Sequence, residues 1–114
     1  MTENEELAQL VGFTRYSHHE NDTFAPLWKC GDYLNPDPPD LFHDLNALDK
    51  WVAPVLRTRG IYKIVLDYSK GDVTCDMVWS RTRSNTGHNY SVDCKAPTAA
   101  AALASAALKF LRER

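Results

Sequence analysis

The sequence predicts an α+β fold in which a three-stranded antiparallel β-meander is packed with helices in a layered sandwich. Residues 61–68 form an apolar segment, and residues 73–80 and 88–95 alternate apolar and polar side chains, as strands with one buried face do. Polar, glycine-containing stretches at residues 69–72 and 81–87 separate these strands, which is typical of hairpins and loops. Helical patterns precede and follow the strands, and a sheet this small needs helices to cover its apolar face.

Length and composition indicate one soluble globular domain that spans residues 1–114. The chain has 44% hydrophobic and 25% charged residues, which is ordinary for this class. Its first residues are acidic and no apolar run is long enough to cross a bilayer, so we expect no membrane partner. The three cysteines show no pairing motif. A reduced, cytoplasmic protein is the simplest interpretation.

The order that we predict is helix, long loop, helix, three strands and helix. Thr2 as N-cap and Glu5 fit a capping box for a short first helix at residues 7–12. A long connector follows at about residues 13–37, and its aromatic side chains should pin it across the domain. Residues 18–22 would form its exposed tip.

The second helix is predicted to begin with Asp37 as N-cap and Pro38 as the first helical residue. Its apolar residues recur at three-and-four spacing, so that one face lies on the sheet: Leu41, Leu45, Leu48, Val52 and Val55 or Leu56. Pro54 should kink or terminate the helix because proline lacks the backbone donor. Gly60 closes the segment before the first strand.

Strict alternation places one row of the second strand on the buried face: Val73, Cys75, Met77 and Trp79. The third strand repeats the pattern with Tyr90, Val92 and Cys94. Residues 99–112 form an alanine-rich final helix with very high helix propensity. Its alanines permit close approach to the sheet or to a neighbouring helix.

Three groups of residues carry a resemblance to a known family. The first is Leu10-Val11-Gly12-Phe13, where the first helix ends. The second is Trp28 and Asp32-Tyr33-Leu34, followed by an amphipathic helix with Trp51. The third joins Tyr90-Ser91-Val92 to residues 96–103 and 106–108. On these residues the chain resembles the phage ABA sandwich domain family along nearly its whole length.

The resemblance implies a bacteriophage or prophage accessory protein with an α/β sandwich and no established catalytic residues. Pro54 and the loop at residues 81–87 depart from the family pattern. In such a setting we expect a non-catalytic protein that acts in the cytoplasm of the host cell. It would bind a host protein, most simply to inhibit a component of antiviral defence.

No catalytic or metal-binding constellation stands out, so we expect neither an enzyme nor a cofactor. His18 and His19 are adjacent, and on an extended segment they point to opposite sides. Cys30 has no nearby histidine to serve as its base. Asp76 and Asp93 could approach each other on neighbouring strands, although a solvated sheet face explains them equally well. A glycine-rich phosphate loop is absent from the sequence.

Charge and aromatic residues indicate where a partner would bind. Residues 1–50 carry a formal charge of −7 and residues 51–114 carry +5. This asymmetry indicates either a charged partner or two halves that complement each other. Trp, Tyr and Arg are common interface anchors. The partner-binding residues that we predict are therefore Trp28, Tyr33, Arg57, Arg59, Arg81 and Arg83. Trp28 and Tyr33 also fit a structural role in the connector.

Other functions stay open. A nucleotide- or RNA-binding module is one alternative, because double-stranded-RNA-binding modules share the order helix, three strands, helix. Those modules hold phosphates with lysines at the start of the last helix, where this chain has alanines and Lys95 alone nearby. That alternative is therefore disfavoured. A minor hydrolase is a further alternative, and a homodimer is compatible with each of them.

Overall fold

The computed structural model describes residues 1–16, 27–80 and 89–113, and in this part of the chain two antiparallel three-stranded sheets pack with helices. The elements are α1 (Glu3–Leu10), β1 (Thr14–Tyr16), β2 (Leu27–Cys30), β3 (Tyr33–Asn35), α2 (Leu45–Ala47), a π-helical turn (Leu48–Val52), α3 (Ala53–Thr58), β4 (Ile61–Lys70), β5 (Asp72–Ser80), β6 (Asn89–Ala96) and α4 (Ala99–Arg112). The predicted α+β class is confirmed. The order differs by the three short strands that precede α2.

The predicted meander is the sheet β4-β5-β6, with β5 in the centre. The inward row of β5 is buried as predicted, with exposed fractions of 5% for Val73, 0% for Cys75 and Met77, and 7% for Trp79. α4 packs on β5 and β6, and the ring of Phe110 meets that of Trp79 edge-to-face at 4.8 Å between centroids. Val92 of β6 is buried too. The inward position predicted for Tyr90 lies outside the described side chains.

The connector is not the irregular loop that the sequence predicts, because it contributes three strands. β2 pairs antiparallel with β1 and with β3. Only Gly31 and Asp32 separate β2 from β3, and Gly31 has a φ of 56°. Glycine at the first central position is typical of a two-residue hairpin turn. The predicted tip at residues 18–22 lies outside the described residues.

The predicted start of the second helix is wrong. Asp44, rather than Asp37, is the N-cap, and its side chain accepts a hydrogen bond of 2.9 Å from the backbone N–H of Asn46. The residue before a proline is pushed out of the helical region, and Pro38 is followed by Pro39. Pro38 is therefore a poor first helical residue, and the helix begins only after a turn.

Pro54 does not end the helical run, which continues to Thr58. The π-helical turn directly precedes this proline, and the N–H of Ala53 bonds to the carbonyl of Leu48, five residues earlier. Proline leaves one carbonyl without its usual donor and crowds the preceding turn. The wider turn accommodates the proline ring, and the chain continues into α3. Of the two predicted outcomes, a kink or a termination, the termination is wrong.

The first helix is held at its N-terminal end and along its side. Its capping box is confirmed, because Thr2 Oγ1 accepts from the N–H of Glu5 at 3.1 Å and Glu5 Oε1 accepts from the N–H of Thr2 at 3.0 Å. Asn4 bonds to the carbonyl of Pro39 and to the N–H of Leu41. α1 also packs on α4, so that α4 lies between the sheet and α1.

We expect Met77→Ala to lower the free energy of unfolding by about 2–5 kcal/mol, because the truncation opens a cavity beneath α4. Val78→Ala on the opposite face of β5 is the matched control, and its half-buried side chain should cost clearly less. Urea denaturation of the two variants measures the difference. Equal losses of stability in the two variants would contradict the assignment of Met77 to the buried face of β5.

Candidate interaction surface

The junction between α3 and β4 presents a cationic and aromatic patch, which we call the α3–β4 patch: Arg57, Arg59, Tyr62 and Lys63. All four side chains are exposed. A connection of two residues joins the helix to the strand, and Gly60 takes a φ of 102° that favours glycine. The N–H of Gly60 bonds to the carbonyl of Arg57 at 3.2 Å. The tight turn therefore fixes the helix end relative to the strand.

A shallow pocket of about 280 Å³ lies within this patch. Its lining combines apolar, aromatic and charged side chains: Asp49, Ala53, Arg57, Ile61, Tyr62, Lys63 and Ile64. Three of these residues belong to the α2–α3 region and four belong to β4. The pocket could take one apolar side chain from a partner, with cationic groups at its rim.

The patch continues into β4, which keeps large apolar side chains in contact with water. Their exposed fractions are 58% for Tyr62, 38% for Ile64, 39% for Val65 and 61% for Tyr68. Ile64 lies opposite Met77, which is fully buried. The elements packed on the inner face of the sheet therefore cover Met77 completely but leave Ile64 partly exposed. α4 lies over β5 and β6, whereas α3 contacts β4. An edge strand with this exposure is a candidate surface for association.

The predicted anchors Trp28 and Tyr33 take structural positions. Trp28 is 2% exposed, and the guanidinium of Arg15 lies 4.7 Å from its ring centroid. Tyr33 forms edge-to-face contacts with Phe13 and Trp51, with centroids 5.3 and 5.9 Å apart. Its hydroxyl donates to the carbonyl of Asp37 at 2.6 Å, and burial raises its pKa. These contacts support the predicted role in pinning the connector.

Among the predicted cationic anchors, Arg57 and Arg59 are exposed in the α3–β4 patch. Arg81 and Arg83 lie outside the described residues, so whether the four arginines form one surface stays a prediction. Sequence reasoning missed Tyr62, Lys63 and Ile64; Ile64 was missed because the whole inner face of the meander was expected to be covered. The sequence did offer one indication of this exposure, because the first strand of a three-stranded meander lies at an edge of the sheet.

An ion pair of good geometry joins the two oppositely charged halves of the chain. Arg112 donates to both carboxylate oxygens of Glu6, at 2.7 and 2.8 Å, and this contact lowers the pKa of Glu6. Arg15 pairs with Glu5 inside the first half at 3.6 Å. The cations of the α3–β4 patch stay exposed, so complementarity between the halves accounts for only part of the asymmetry.

The structure brings two pairs of chemically interesting residues to opposite positions on β5 and β6. Asp76 faces Asp93 on the outer face, and Cys75 faces Cys94 on the inner face. Cys75, Cys94 and Cys30 are free thiols. Burial raises the pKa of Cys75 to about 12, with the nearby Asp76 and Cys94 adding to the effect. A thiol held protonated in this way is a weak nucleophile.

Within the described ranges, no group of three or more His, Cys, Asp or Glu side chains is arranged to hold a metal ion. His43 makes an exposed contact with Asp40, with Nδ1 2.9 Å from Oδ1. His18 and His19 lie outside those ranges. Of the helices described, none is long and apolar enough to cross a membrane.

Comparison with known proteins gives no match. No protein-family model, curated protein sequence or solved structure is similar to this chain at a significant level. The resemblance to the phage ABA sandwich domain family therefore stays a prediction. The geometry of the exposed surfaces carries the functional proposals that follow.

We expect Cys75 to resist alkylation in the folded protein at about pH 8, because the thiolate is the reactive form. Folding raises the pKa of Cys75 above its ordinary value of 9.0. The stability linked to its neutral form is therefore full below pH 9.0 and is lost as the pH rises toward about 12. Mass spectrometry after labelling and urea midpoints across this range test both points. Cys75→Val is the control, and fast labelling of Cys75 in the native state would contradict them.

Asp93→Lys should raise the free energy of unfolding by about 0.2–1 kcal/mol at neutral pH, because it replaces a like-charge cross-strand pair with an attractive one. Thermal unfolding at low and high salt measures the gain, which should shrink as salt screens it. Ser91→Lys, on the same face of β6 opposite Val78, is the matched control. A gain of equal size there would mean that Asp76 has no part in the effect.

Proposed function

We propose that this protein is a small non-catalytic, phage-type accessory protein that acts by binding a host protein through the α3–β4 patch. The single observation that carries the proposal is a pocket lined by the exposed residues Arg57, Tyr62 and Lys63 together with Ile61 and Ile64, with the exposed Arg59 two residues from Arg57 in the sequence. Inhibition of a host antiviral defence component is the outcome that the family resemblance suggests for such binding.

The chemistry of the patch suits a protein surface. Arginine and tyrosine dominate binding hot spots, because their large side chains combine apolar contact with hydrogen bonding. Ile61 and Ile64 line the pocket together with Tyr62, so that an apolar anchor from the partner could be desolvated there.

The charges define the partner further. Arg57 and Lys63 line the same pocket and Arg59 is an exposed cation at the end of α3, while Asp49 is the acidic residue that lines the pocket. A complementary surface therefore presents an apolar side chain flanked by carboxylates. Such charges act mainly on the association rate and on specificity, and the apolar anchor supplies most of the affinity.

A nucleotide- or RNA-binding role is the second candidate, because the same three cations could hold phosphate groups. Binding of this kind weakens steeply with salt, as counterions are released from the polyanion. A protein partner held by an apolar anchor shows a shallower dependence. The salt dependence of binding therefore separates the two candidates.

We expect the double variant Arg57→Glu/Arg59→Glu to lose a captured bacterial protein partner. Tagged wild-type chain would be used to capture and identify the partner, and the purified pair would then be measured by calorimetry. Loss of two hot-spot arginines should weaken Kd by at least about tenfold. The matched control is Lys95→Glu/Lys109→Glu, which removes two exposed cations from β6 and α4.

Equal weakening by both double variants would contradict a local patch and indicate non-specific charge attraction. Binding of labelled RNA or DNA with a steep salt slope, lost on the same arginine changes, would favour the second candidate. Inhibition of antiviral defence is tested separately, by phage infection of cells that carry the defence system to which the captured protein belongs. The wild-type chain should restore plaque formation and the arginine variant should not.

A further inference from the structure

The second inference concerns the free edge of β4 and does not depend on the proposed host partner. Among the described residues β4 pairs with β5 alone, so that no strand of this part of the chain takes up the backbone donors and acceptors on its other side. Natural proteins protect such edges with prolines, bulges or a row of like charges. β4 has register irregularities near both ends, but its central residues 63–67 pair regularly with β5. The centre of the edge is therefore regular and available.

The types of side chain in β4 are arranged symmetrically about Val65. In sequence order they are Tyr62, Lys63, Ile64, Val65, Leu66, Asp67 and Tyr68. An aromatic residue stands at each end, opposite charges come next, and aliphatic side chains fill the centre. Two antiparallel copies of a strand related by a two-fold axis pair position by position about the axis. With the axis at Val65, aromatic residues therefore face aromatic residues and aliphatic residues face aliphatic residues, while each cation faces an anion.

We propose that a second copy of this chain pairs with the β4 edge, antiparallel and with Val65 on the two-fold axis, to form one continuous six-stranded sheet. Lys63 then lies opposite Asp67 of the second copy, and Asp67 lies opposite Lys63 of the second copy. Both residues are exposed on the outer face, opposite Val78 and Thr74 of β5. Opposite charges at directly facing positions stabilise antiparallel pairs.

The charges also select this register over its neighbours. Moving the axis to Ile64 sets Lys63 opposite Val65, and moving it to Leu66 sets Asp67 opposite Val65. In both cases the two charged positions no longer face each other. A slip by a single residue would bring inner-face side chains to the outer face, which the buried row of the sheet does not permit.

The inner face gains from the same arrangement. Ile64 is 38% exposed and Leu66 is half-buried, although both lie in the row that faces the core. A two-fold axis perpendicular to the sheet keeps the inner faces of the two copies on one side. Ile64 of each copy then meets Leu66 of the other, which extends the apolar surface across the junction. The uncovered part of β4 is thereby covered by its own counterpart.

The position of α3 relative to the two-fold axis follows from the chain order. Two residues separate the end of α3 from Ile61, the first residue of β4. The two-fold axis places α3 of the second copy at the far end of the paired strands, so the two helices lie at opposite ends. Beyond the regular residues 63–67, the same pairing brings Tyr68 of the second copy toward Tyr62, which lines the pocket of the α3–β4 patch. The dimer would therefore complete the wall of that pocket.

Charge exchange at two positions tests the proposal. The mass of the wild-type chain in solution, measured by light scattering or sedimentation, should rise to twice 12.9 kDa over about a hundredfold range of concentration. Lys63→Glu sets like charges opposite each other twice per dimer, and so does Asp67→Lys. Each should weaken dimer Kd by roughly tenfold or more. An equal mixture of these two variants should dimerise again, because every facing pair is then attractive.

The double exchange Lys63→Glu/Asp67→Lys should also restore the dimer. Lys95→Glu is the matched control, because it reverses an exposed charge on the other edge strand, β6, and should leave the mass unchanged. Far-UV spectra and thermal melts of every variant show whether it is folded. A wild-type chain that stays monomeric overturns the proposal. The proposal is also overturned if neither single variant weakens the dimer, or if Lys95→Glu disrupts it, because the interface would then lie elsewhere.

These outcomes are distinct from those of the host-partner experiments. Light scattering needs no partner, and Arg57 and Arg59 lie outside the strand that forms the pair. If the dimer fails and the arginine variant still loses its host protein, the partner proposal stands alone. If the charge exchange behaves as expected and no host protein depends on the arginines, the dimer stands alone.

Discussion

α4 lies against β5 and β6 with a surface made largely of alanine, while α1 covers the other side of the same helix. Small side chains on the helix meet large ones on the sheet, such as Met77 and Trp79, so that both can be packed at native density. Phe110 is the large residue of α4 that contacts Trp79. Because α4 is buried on more than one side, the sheet, α1 and the π-helical turn all take their positions from it.

The elements that were predictable from sequence are those whose side chains repeat with a clear period. Alternation over residues 73–80 identified the dry face of β5, and high helix propensity identified α4. The capping box at Thr2 was also evident, because it depends on two side chains three residues apart. In each case the local preference and the tertiary environment favour the same structure.

Other features were hidden because they depend on contacts between distant residues. β1, β2 and β3 have three or four residues each, too few to show alternation, and the pairing partners fix them. The start of α2 was misplaced because the local rule for Pro38 ignored the constraint that Pro39 imposes. Exposure of β4 could not be derived from its own residues, since it depends on where α4 lies above the sheet. Arg57 and Arg59 were predicted from the sequence, but the exposure of Tyr62 and Ile64 became visible only through that geometry.

The contact between Arg112 and Glu6 joins positions 106 residues apart, and Asn4 reaches across 35 to 37 residues to the segment before α2. The core therefore closes by bringing the two ends of the described chain together, which raises the contact order. Folding of such a topology is slower than that of a helical bundle, because the entropy of a long loop is lost before its contacts form. While α1 and α4 remain undocked, the apolar row of β5 stays open to solvent. The interval before the ends meet is thus the period in which this chain is most exposed to aggregation and proteolysis.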